Sequence, residues 1–383
     1  MSWTKARLGE FAPFIYGKGL PKEKRIDGDV PVYGSNGIVG SHNQALLSEP
    51  VVIIGRKGSV GEVHLTSGPS WPIDTTFYAQ SSNKVDLDFL FYLLQTLPLK
   101  TNSDSAVPGL SRDYAHSLEV RVPNVVMQTV IGKVLKSLDF KIANNSALSK
   151  TLEEIAQTIF KSWFVDFDPV KAKMAGEKPA GMNDATAALF PDSMEDSEFG
   201  PIPKGWGFGA IGELANLKGG KQLSKDEFVV NGSSPVFGGA GIMGWTSNSS
   251  AEGFVITLGR VGANCGQFFC YRGKVWVNNN ATLIEQRGGI SGEWLFLRLK
   301  NFDIETIKKG AAQPFVSNSD LAESLVLIPP TSLIDIFTEA VQPFFLMREL
   351  LSRQSGFLVS LRDALLPRLI SGELQIPDEM LVS

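Results

Sequence analysis

Pro31-Val32-Tyr33-Gly34-Ser35-Asn36-Gly37-Ile38-Val39-Gly40 returns 204 residues later as Pro235-Val236-Phe237-Gly238-Gly239-Ala240-Gly241-Ile242-Met243-Gly244. Apolar residues and glycines in one order at so long an interval mark an internal duplication, which decides architecture before any single motif does. Upstream, Trp3 with Leu8-Gly9-Glu10 reappears as Trp206 with Ile211-Gly212-Glu213. Downstream, Gly55-Arg56-Lys57-Gly58 matches Gly259-Arg260-Val261-Gly262, Trp71 matches Trp276, and Phe89-Leu90-Phe91 matches Trp294-Leu295-Phe296. Ala106-Val107-Pro108-Gly109-Leu110-Ser111 then matches Ala312-Gln313-Pro314-Phe315-Val316-Ser317, and the apolar run ending at Pro123 matches the one ending at Pro329. The interval drifts one residue at a time, as loop insertions would make it.

Each copy closes on a segment of helical period. Ile131, Leu138, Asn145, Leu152 and Ile159 fall at one heptad position, with Val134, Leu148 and Ile155 at a second. The other copy supplies Phe337, Phe344, Leu351, Leu358 and Leu365, with Ala340, Met347 and Leu361. Asn145, Lys141, Gln354 and Arg368 interrupt the seam, and Pro343 is expected to kink its helix. A continuous helix of about 40 residues runs roughly 60 Å, long for a small domain. The alternative is two shorter amphipathic helices per copy, each packed on its own domain. Because the seams match in length and phase, the preferred arrangement is one antiparallel coiled coil, with Asn145 fixing its register.

Before each helix the chain reads as short strands between turns, such as Val51–Ile54 and Phe254–Leu258 bounded by Gly, Pro, Ser and Asn. The expected fold is therefore α+β: two tandem mixed α/β domains, each followed by a long helix, with pseudo-twofold symmetry. The boundaries read as 1–123 and 206–330 for the domains, 124–165 and 331–374 for the helices, 166–205 for a linker and 375–383 for a tail. The linker lacks a sustained apolar period, though its patch Ala187-Ala188-Leu189-Phe190 suits docking on a neighbour.

The 383 residues suit two domains, and no run approaches the roughly 18 to 20 apolar residues that span a bilayer. The first residues lack the features of a secretory signal, so a cytoplasmic protein with no membrane partner is expected. Cys265 and Cys270 are too few for a disulfide framework, and His42, His64 and His116 lie in the other copy, so no metal site is expected. The net charge of −4 is uneven: Asp166–Gly200 holds eight acids against three lysines, which leaves the remainder near +1. Local basic patches, not the overall isoelectric point, set attraction for phosphates.

The stretch Leu152-Glu153-Glu154-Ile155-Ala156-Gln157-Thr158-Ile159-Phe160-Lys161-Ser162-Trp163-Phe164-Val165-Asp166-Phe167-Asp168-Pro169-Val170 closely resembles the central region of type I restriction-modification specificity subunits, as do Leu189-Phe190-Pro191-Asp192 and Gly200-Pro201-Ile202-Pro203-Lys204-Gly205-Trp206. The stretch Leu361–Leu374 resembles the family's distal helix, and the resemblance covers essentially the whole chain. One departure is Met127-Gln128, where many members carry Glu-Gln; the second copy has Ile334-Asp335.

The resemblance implies two target-recognition domains, each reading half of a bipartite, asymmetric site on double-stranded DNA, with the paired helices as a stiff spacer. It also implies two modification (methyltransferase) subunits bound to one such chain and motor-nuclease restriction subunits that join for cleavage. S-adenosylmethionine, ATP and Mg are expected in those partners, with no cofactor in this chain.

Enzyme motifs are missing from the sequence. Gly219-Gly220-Lys221-Gln222 lacks the spacing of a phosphate loop, and Gly55–Gly61 leads into strand-like Glu62-Val63-His64-Leu65, not a helix N-terminus. Asp166-Phe167-Asp168 suits a helix exit, no amino-methyltransferase tetrapeptide occurs, and no catalytic residue is expected. Contact with DNA calls for Lys and Arg at phosphates and for Arg, Asn, Gln and Ser at base edges. The candidates are Lys18, Lys22, Lys24, Arg25, Ser35, Asn36, Arg56 and Lys57 in the first copy, and Lys218, Lys221, Lys225, Arg260, Asn278, Asn279 and Asn280 in the second. The copies differ at several of these places, Ser35-Asn36 against Gly239-Ala240 and Lys57 against Val261, so different half-sites are expected. The rival readings are a fused nuclease or methyltransferase, and a duplicated scaffold that binds two proteins without reading DNA.

Overall fold

A computed structural model describes residues 3–100, 109–229, 232–262 and 264–377. The Ala106–Pro108 part of the matched segment, and residues 378–383 of the expected tail, lie outside the described residues. The first copy runs β1 (Thr4–Arg7), α1 (Leu8–Phe11), β2 (Ile15–Tyr16), β3 (Val30–Gly34), β4 (Gly37–His42), β5 (Val51–Gly55), β6 (Val63–Leu65), β7 (Trp71–Pro72), β8 (Thr76–Gln80), α2 (Leu87–Gln95), α3 (Arg112–Ser117), β9 (Glu119–Val122) and α4 (Val125–Phe164). Three sheets form: β1-β9, β2-β8-β5-β6 and β4-β3-β7. Fully buried β5 is Val51-Val52-Ile53-Ile54-Gly55, a β-branched run suited to an inner strand. Side-chain caps start the helices: Asp86 accepts from the Phe89 amide and Asn124 from the Met127 amide, both at 2.9 Å.

The expected linker is not an open connector. It holds α5 (Asp168–Met174), α6 (Asp184–Ala188), β10 (Met194–Glu195) and β11 (Ile202–Pro203), and buries Val170, Phe190 and Ile202. Phe190 meets the Trp163 ring edge-on at 5.2 Å, so the Ala187–Phe190 patch docks as its composition suggested. These elements are too short to show a period in sequence, and Gly176, Gly181, Gly200 and Gly205 take positive φ at their joints.

The second copy repeats the first as β12 (Gly207–Ala210), α7 (Ile211–Leu214), β13 (Ala215–Gly219), β14 (Ser234–Gly238), β15 (Gly241–Thr246), β16 (Phe254–Gly259), β17 (Phe268–Arg272), β18 (Trp276–Val277), β19 (Ala281–Gln286), α8 (Gly292–Lys300), α9 (Asn318–Glu323), β20 (Leu325–Ile328) and α10 (Thr331–Ser371). Its sheets β12-β20, β13-β19-β16-β17 and β15-β14-β18 reproduce the first set. Even the irregularity is copied: the β3–β4 register shifts between Val32 and Tyr33, and the β14–β15 register between Val236 and Phe237.

Two compact units result, residues 1–145 with 354–383, and residues 146–353. In the first, the N-terminal half of α4 lies with the C-terminal half of α10, and Ile131, Leu135, Leu369 and Ile370 enter one core with Leu8, Phe77 and Phe89. In the second, the remaining halves join Phe160, Phe337, Val341 and Phe345 to Trp206 and Trp294. The two long helices thus pair antiparallel, as the matched seams led us to expect. Helix α10 runs unbroken through Pro343 and Pro367, whose exposed positions leave the freed carbonyls to water.

One row of the expected seam lies on the inward side, and the other falls one residue away from the buried positions. Ile131, Asn145, Phe337 and Leu351 are buried, and Leu138, Leu152, Ile159, Phe344, Leu358 and Leu365 half-buried. Of the second row, Val134 and Leu361 are half-buried, but Leu148, Ile155, Ala340 and Met347 are exposed. The true second inward row lies four residues on from the first, at Leu135, Ile142, Ser149, Ala156 and Trp163 on α4 and at Val341, Arg348, Ser355, Arg362 and Leu369 on α10. Steps of three and four straddle one helix face at 3.6 residues per turn, and the packed domain covers the far side. Asn145 donates to Gln354 Oε1 at 2.9 Å and to Ser355 Oγ at 3.3 Å, so the buried amide is satisfied.

Candidate nucleic-acid interface

In the first unit three loops converge at one end of the sheets. The Lys18 amide donates to the Pro72 carbonyl at 2.9 Å, and the Trp71 indole donates to the Lys18 carbonyl at 2.8 Å, which ties residues 17–25 to the β7–β8 loop. The Arg56 and Lys57 amides both donate to the Thr75 carbonyl, which brings the Gly55–Gly61 loop to the same place. Ser35 closes the group: a Cβ on Gly55 would lie 3.2 Å from its side chain. Glycine at 55 therefore lets the turn and the loop touch.

The second unit repeats the ties. The Lys221 amide donates to the Val277 carbonyl and the Trp276 indole to the Lys221 carbonyl, both at 2.9 Å, and the Arg260 amide donates to the Asn280 carbonyl. A Cβ on Gly259 would lie 2.2 Å from the Gly239 carbonyl, so the same close approach recurs. Of the fifteen candidate residues, Lys22, Lys24 and Lys225 sit in short 3-10 turns and the others on the loops or the strand ends beside them.

Their side chains are committed to different degrees. Lys18, Lys22, Lys24, Lys57, Lys221 and Lys225 are exposed and pair with no acid among the described residues, while Asn36, Asn279 and Asn280 are exposed at turns. Arg25 is half-buried and donates to the Leu20 and Val39 carbonyls, which makes it a brace for its loop. Lys218 pairs with Glu285 at 2.6 Å, and Asn278 is buried against Met243 Sδ and the Asn279 amide. These three are less available than the charge pattern suggested.

Arg56 lies 4.9 Å above the Tyr16 ring, and Arg112, absent from our candidates, lies at the same distance. Two guanidiniums thus share one half-exposed aromatic at the rim of the loops. The position of Arg112, directly after the capping Ser111, was the available signal. In the second unit Gly219 stands at the place of Tyr16, and Arg260 lies over it instead.

Each unit holds a half-buried ion pair along the helix seam. Arg362 Nη1 bonds Asp139 at 2.7 Å, and the Tyr92 hydroxyl donates to the same carboxylate at 2.6 Å. In the second unit Arg348 and Lys300 each reach Glu153 at 2.5 Å. Burial raises the Glu153 pKa, but the Arg348 charge, the Lys300 ammonium and the Gln157 amide outweigh it and hold the group below its ordinary value. The cysteines behave as core thiols: burial pushes Cys270 up to about 12, and Cys265 donates to the Arg260 carbonyl. Among the described residues no cluster of His, Cys, Asp and Glu could hold a metal ion, and no helix is long and apolar enough to cross a membrane.

The fold is a tandem duplication with one candidate loop surface in each unit. The chain belongs to the type I restriction modification DNA specificity domain family, whose pattern it matches twice, over residues 1–154 and 203–334. It is similar to the type I restriction enzyme MjaIX specificity subunit of Methanocaldococcus jannaschii, 24% identical over 323 residues that cover 76% of this chain and 70% of the relative. It is also similar to the type I restriction enzyme HindI specificity subunit of Haemophilus influenzae, 26% identical over 363 residues covering 77% and 79%. The solved S subunit of a type I restriction-modification system from M. genitalium superposes with a TM-score of 0.60 at 17% identity, covering 98% of this chain and 97% of that one, which shows a shared fold.

Proposed function

We propose that this chain reads DNA sequence for a type I restriction-modification complex, one half of a bipartite asymmetric site through each unit, and performs no catalytic step itself. The observation that carries the reading is a scaffold copied to the level of single hydrogen bonds, Trp71 to Lys18 and Trp276 to Lys221, under loops whose side chains differ. Constant scaffold with variable loops is how recognition is retargeted without refolding. Exposed lysines supply phosphate contacts, and Asn36, Asn279 and Asn280 have the donor and acceptor pairs that read adenine edges.

Two modification subunits dock on one chain, because the duplication offers two similar faces. Exposed apolar residues on the helices of each unit, Phe140 and Phe357 in the first and Leu148, Ile155, Met347 and Leu350 in the second, give that docking apolar contacts. Restriction subunits then join, and S-adenosylmethionine, ATP and Mg act in those partners in the cytoplasm.

The test is to co-express the chain with its modification subunit and map methylated adenines across the host genome. A two-part motif that appears only with this chain supports the reading. An assembled, active complex that adds no sequence-defined methylation would leave a protein scaffold as the better account.

A further inference from the structure

The edge strands β4 and β15 each expose two consecutive apolar residues beside the candidate loops. Ile38 is 64% exposed and Val39 40%, while Ile242 is 49% and Met243 55%. Side chains alternate faces along a strand, so adjacent exposed residues mean that both faces of the hairpin tip are open. A bare apolar edge is a liability that proteins normally cover or charge, and here it is kept in both copies.

The geometry around it is also kept. A Cβ on Gly34 would come within 3.0 Å of Val39 Cγ1, and one on Gly238 within 2.8 Å of Met243 Sδ. Glycine on the facing strand therefore lets these side chains lie across the tip. Gly37 and Gly241, at φ 96° and 92°, make the turn in a conformation that disfavours other residues. Arg25 Nη1 braces β4 through the Val39 carbonyl at 2.8 Å, and Asn278 meets Met243 on β15.

Charge selects the occupant. In one unit Arg25, bonded to the Val39 carbonyl, closes the turn that carries exposed Lys22 and Lys24, and exposed Lys57 precedes Gly58, where a Cβ would lie 3.3 Å from Ser35 Oγ at the tip. In the other, exposed Lys221 is bonded to Val277 beside the Asn278 that meets Met243, and exposed Lys225 opens the turn that leads to Phe228, whose ring packs on Gly244. An apolar protein surface would leave those cations facing nothing, whereas duplex DNA offers phosphates to the lysines and thymine methyl groups to the tip. The major groove, about 12 Å wide, admits a two-stranded ribbon. Resting on the DNA-reading assignment above, we propose that Ile38 and Val39 in one half-site, and Ile242 and Met243 in the other, are specificity-determining residues that contact thymine 5-methyl groups in the major groove.

The test uses the complex of the full chain with its modification subunits and duplexes carrying its site, with each thymine replaced in turn by deoxyuridine. In each half-site at least one replacement should weaken binding about fourfold, the worth of one buried methyl. I38S/V39S should abolish that sensitivity in one half-site only, and I242S/M243S in the other. Site-specific binding that ignores every replacement, a half-site without thymine, or sensitivity retained in both double variants would overturn the inference and leave the DNA-reading assignment standing. A double variant that no longer holds the modification subunit would assign the tip to protein docking. Loss of sequence preference in the wild-type complex would remove both readings together.

Discussion

The two units build one joint, domain onto long helix, from different chemistry. In the first, Gln128 is fully buried; its Oε1 accepts from the Asp86 amide, and its Nε2 donates to the Lys84 and Pro123 carbonyls at 2.9 and 3.0 Å. Thr129 donates to Asp86 and Lys136 pairs with Asp88, which completes a polar joint. In the second, Ile334 occupies the place of Gln128, and Leu333, Phe337 and Val341 pack beside it without exposure. Counted from Pro123 and Pro329, Gln128 falls on Ile334, so the two copies differ at the joint itself. Backbone geometry is what the duplication preserved, and either a satisfied amide or an apolar plug serves it.

The largest expected effect is in the apolar joint. Phe337 touches the rings of Phe160, Trp163 and Phe164 at 5.0 to 5.7 Å, so Phe337→Ala should cost about 3–5 kcal/mol, read as lost hydrogen-exchange protection along the start of α10. The equivalent truncation in the first unit, Ile131→Ala, removes a smaller buried side chain and should cost about 2–5 kcal/mol. Next, Gln128→Ala strands one amide and two carbonyls and should cost about 2–3 kcal/mol at the start of α4. Ile334→Gln should be comparably damaging, because nothing in its pocket matches an amide. If Gln128→Ala proves neutral, the polar joint is ornamental and the comparison fails.

Smaller effects separate the units electrostatically. Glu153→Ala leaves Arg348 and Lys300 without their shared carboxylate, and about 1–2 kcal/mol is expected because both cations keep some access to water. Since the Glu153 pKa is depressed, its contribution is complete above the ordinary value of 4.5 and is lost as pH falls through the lower, folded value. Denaturant melts of wild type and Glu153→Ala should converge at acid pH.

The smallest effect belongs to His116, whose Nε2 accepts from the Phe14 amide at 2.8 Å while its ring lies over Gly9. Burial, then the Arg112 charge, hold its pKa below the ordinary 6.5. Its contribution is present above that value and lost as pH falls through the folded one. Ala322 stands at this place in the second unit, so mild acid should loosen only the first. Equal loosening of both units between pH 7 and 5 would contradict this.

The scaffold was legible in the sequence because glycines and apolar residues must recur wherever strands turn and pack alike. The seam was legible to within one residue: larger side chains at Leu148, Ile155 and Met347 drew the second row to the wrong side, while small Ser149 and Ala156 occupy the true one. The 166–205 segment was illegible because its elements are short and its burial comes from Trp163 and Trp206 at its ends. At the surface the glycine-bounded loops located the candidates. The pairing of Lys218 with Glu285 depends on the β13–β19 register, a long-range fact that no local pattern carries.

The most direct test of separate half-site reading is to replace residues 3–123 with residues 206–329 and map methylated adenines in cells where the complex still assembles. Two copies of one reading unit should turn the asymmetric motif into an inverted repeat of a single half-site. Methylation that keeps the original asymmetric motif would contradict the assignment of one half-site to each unit.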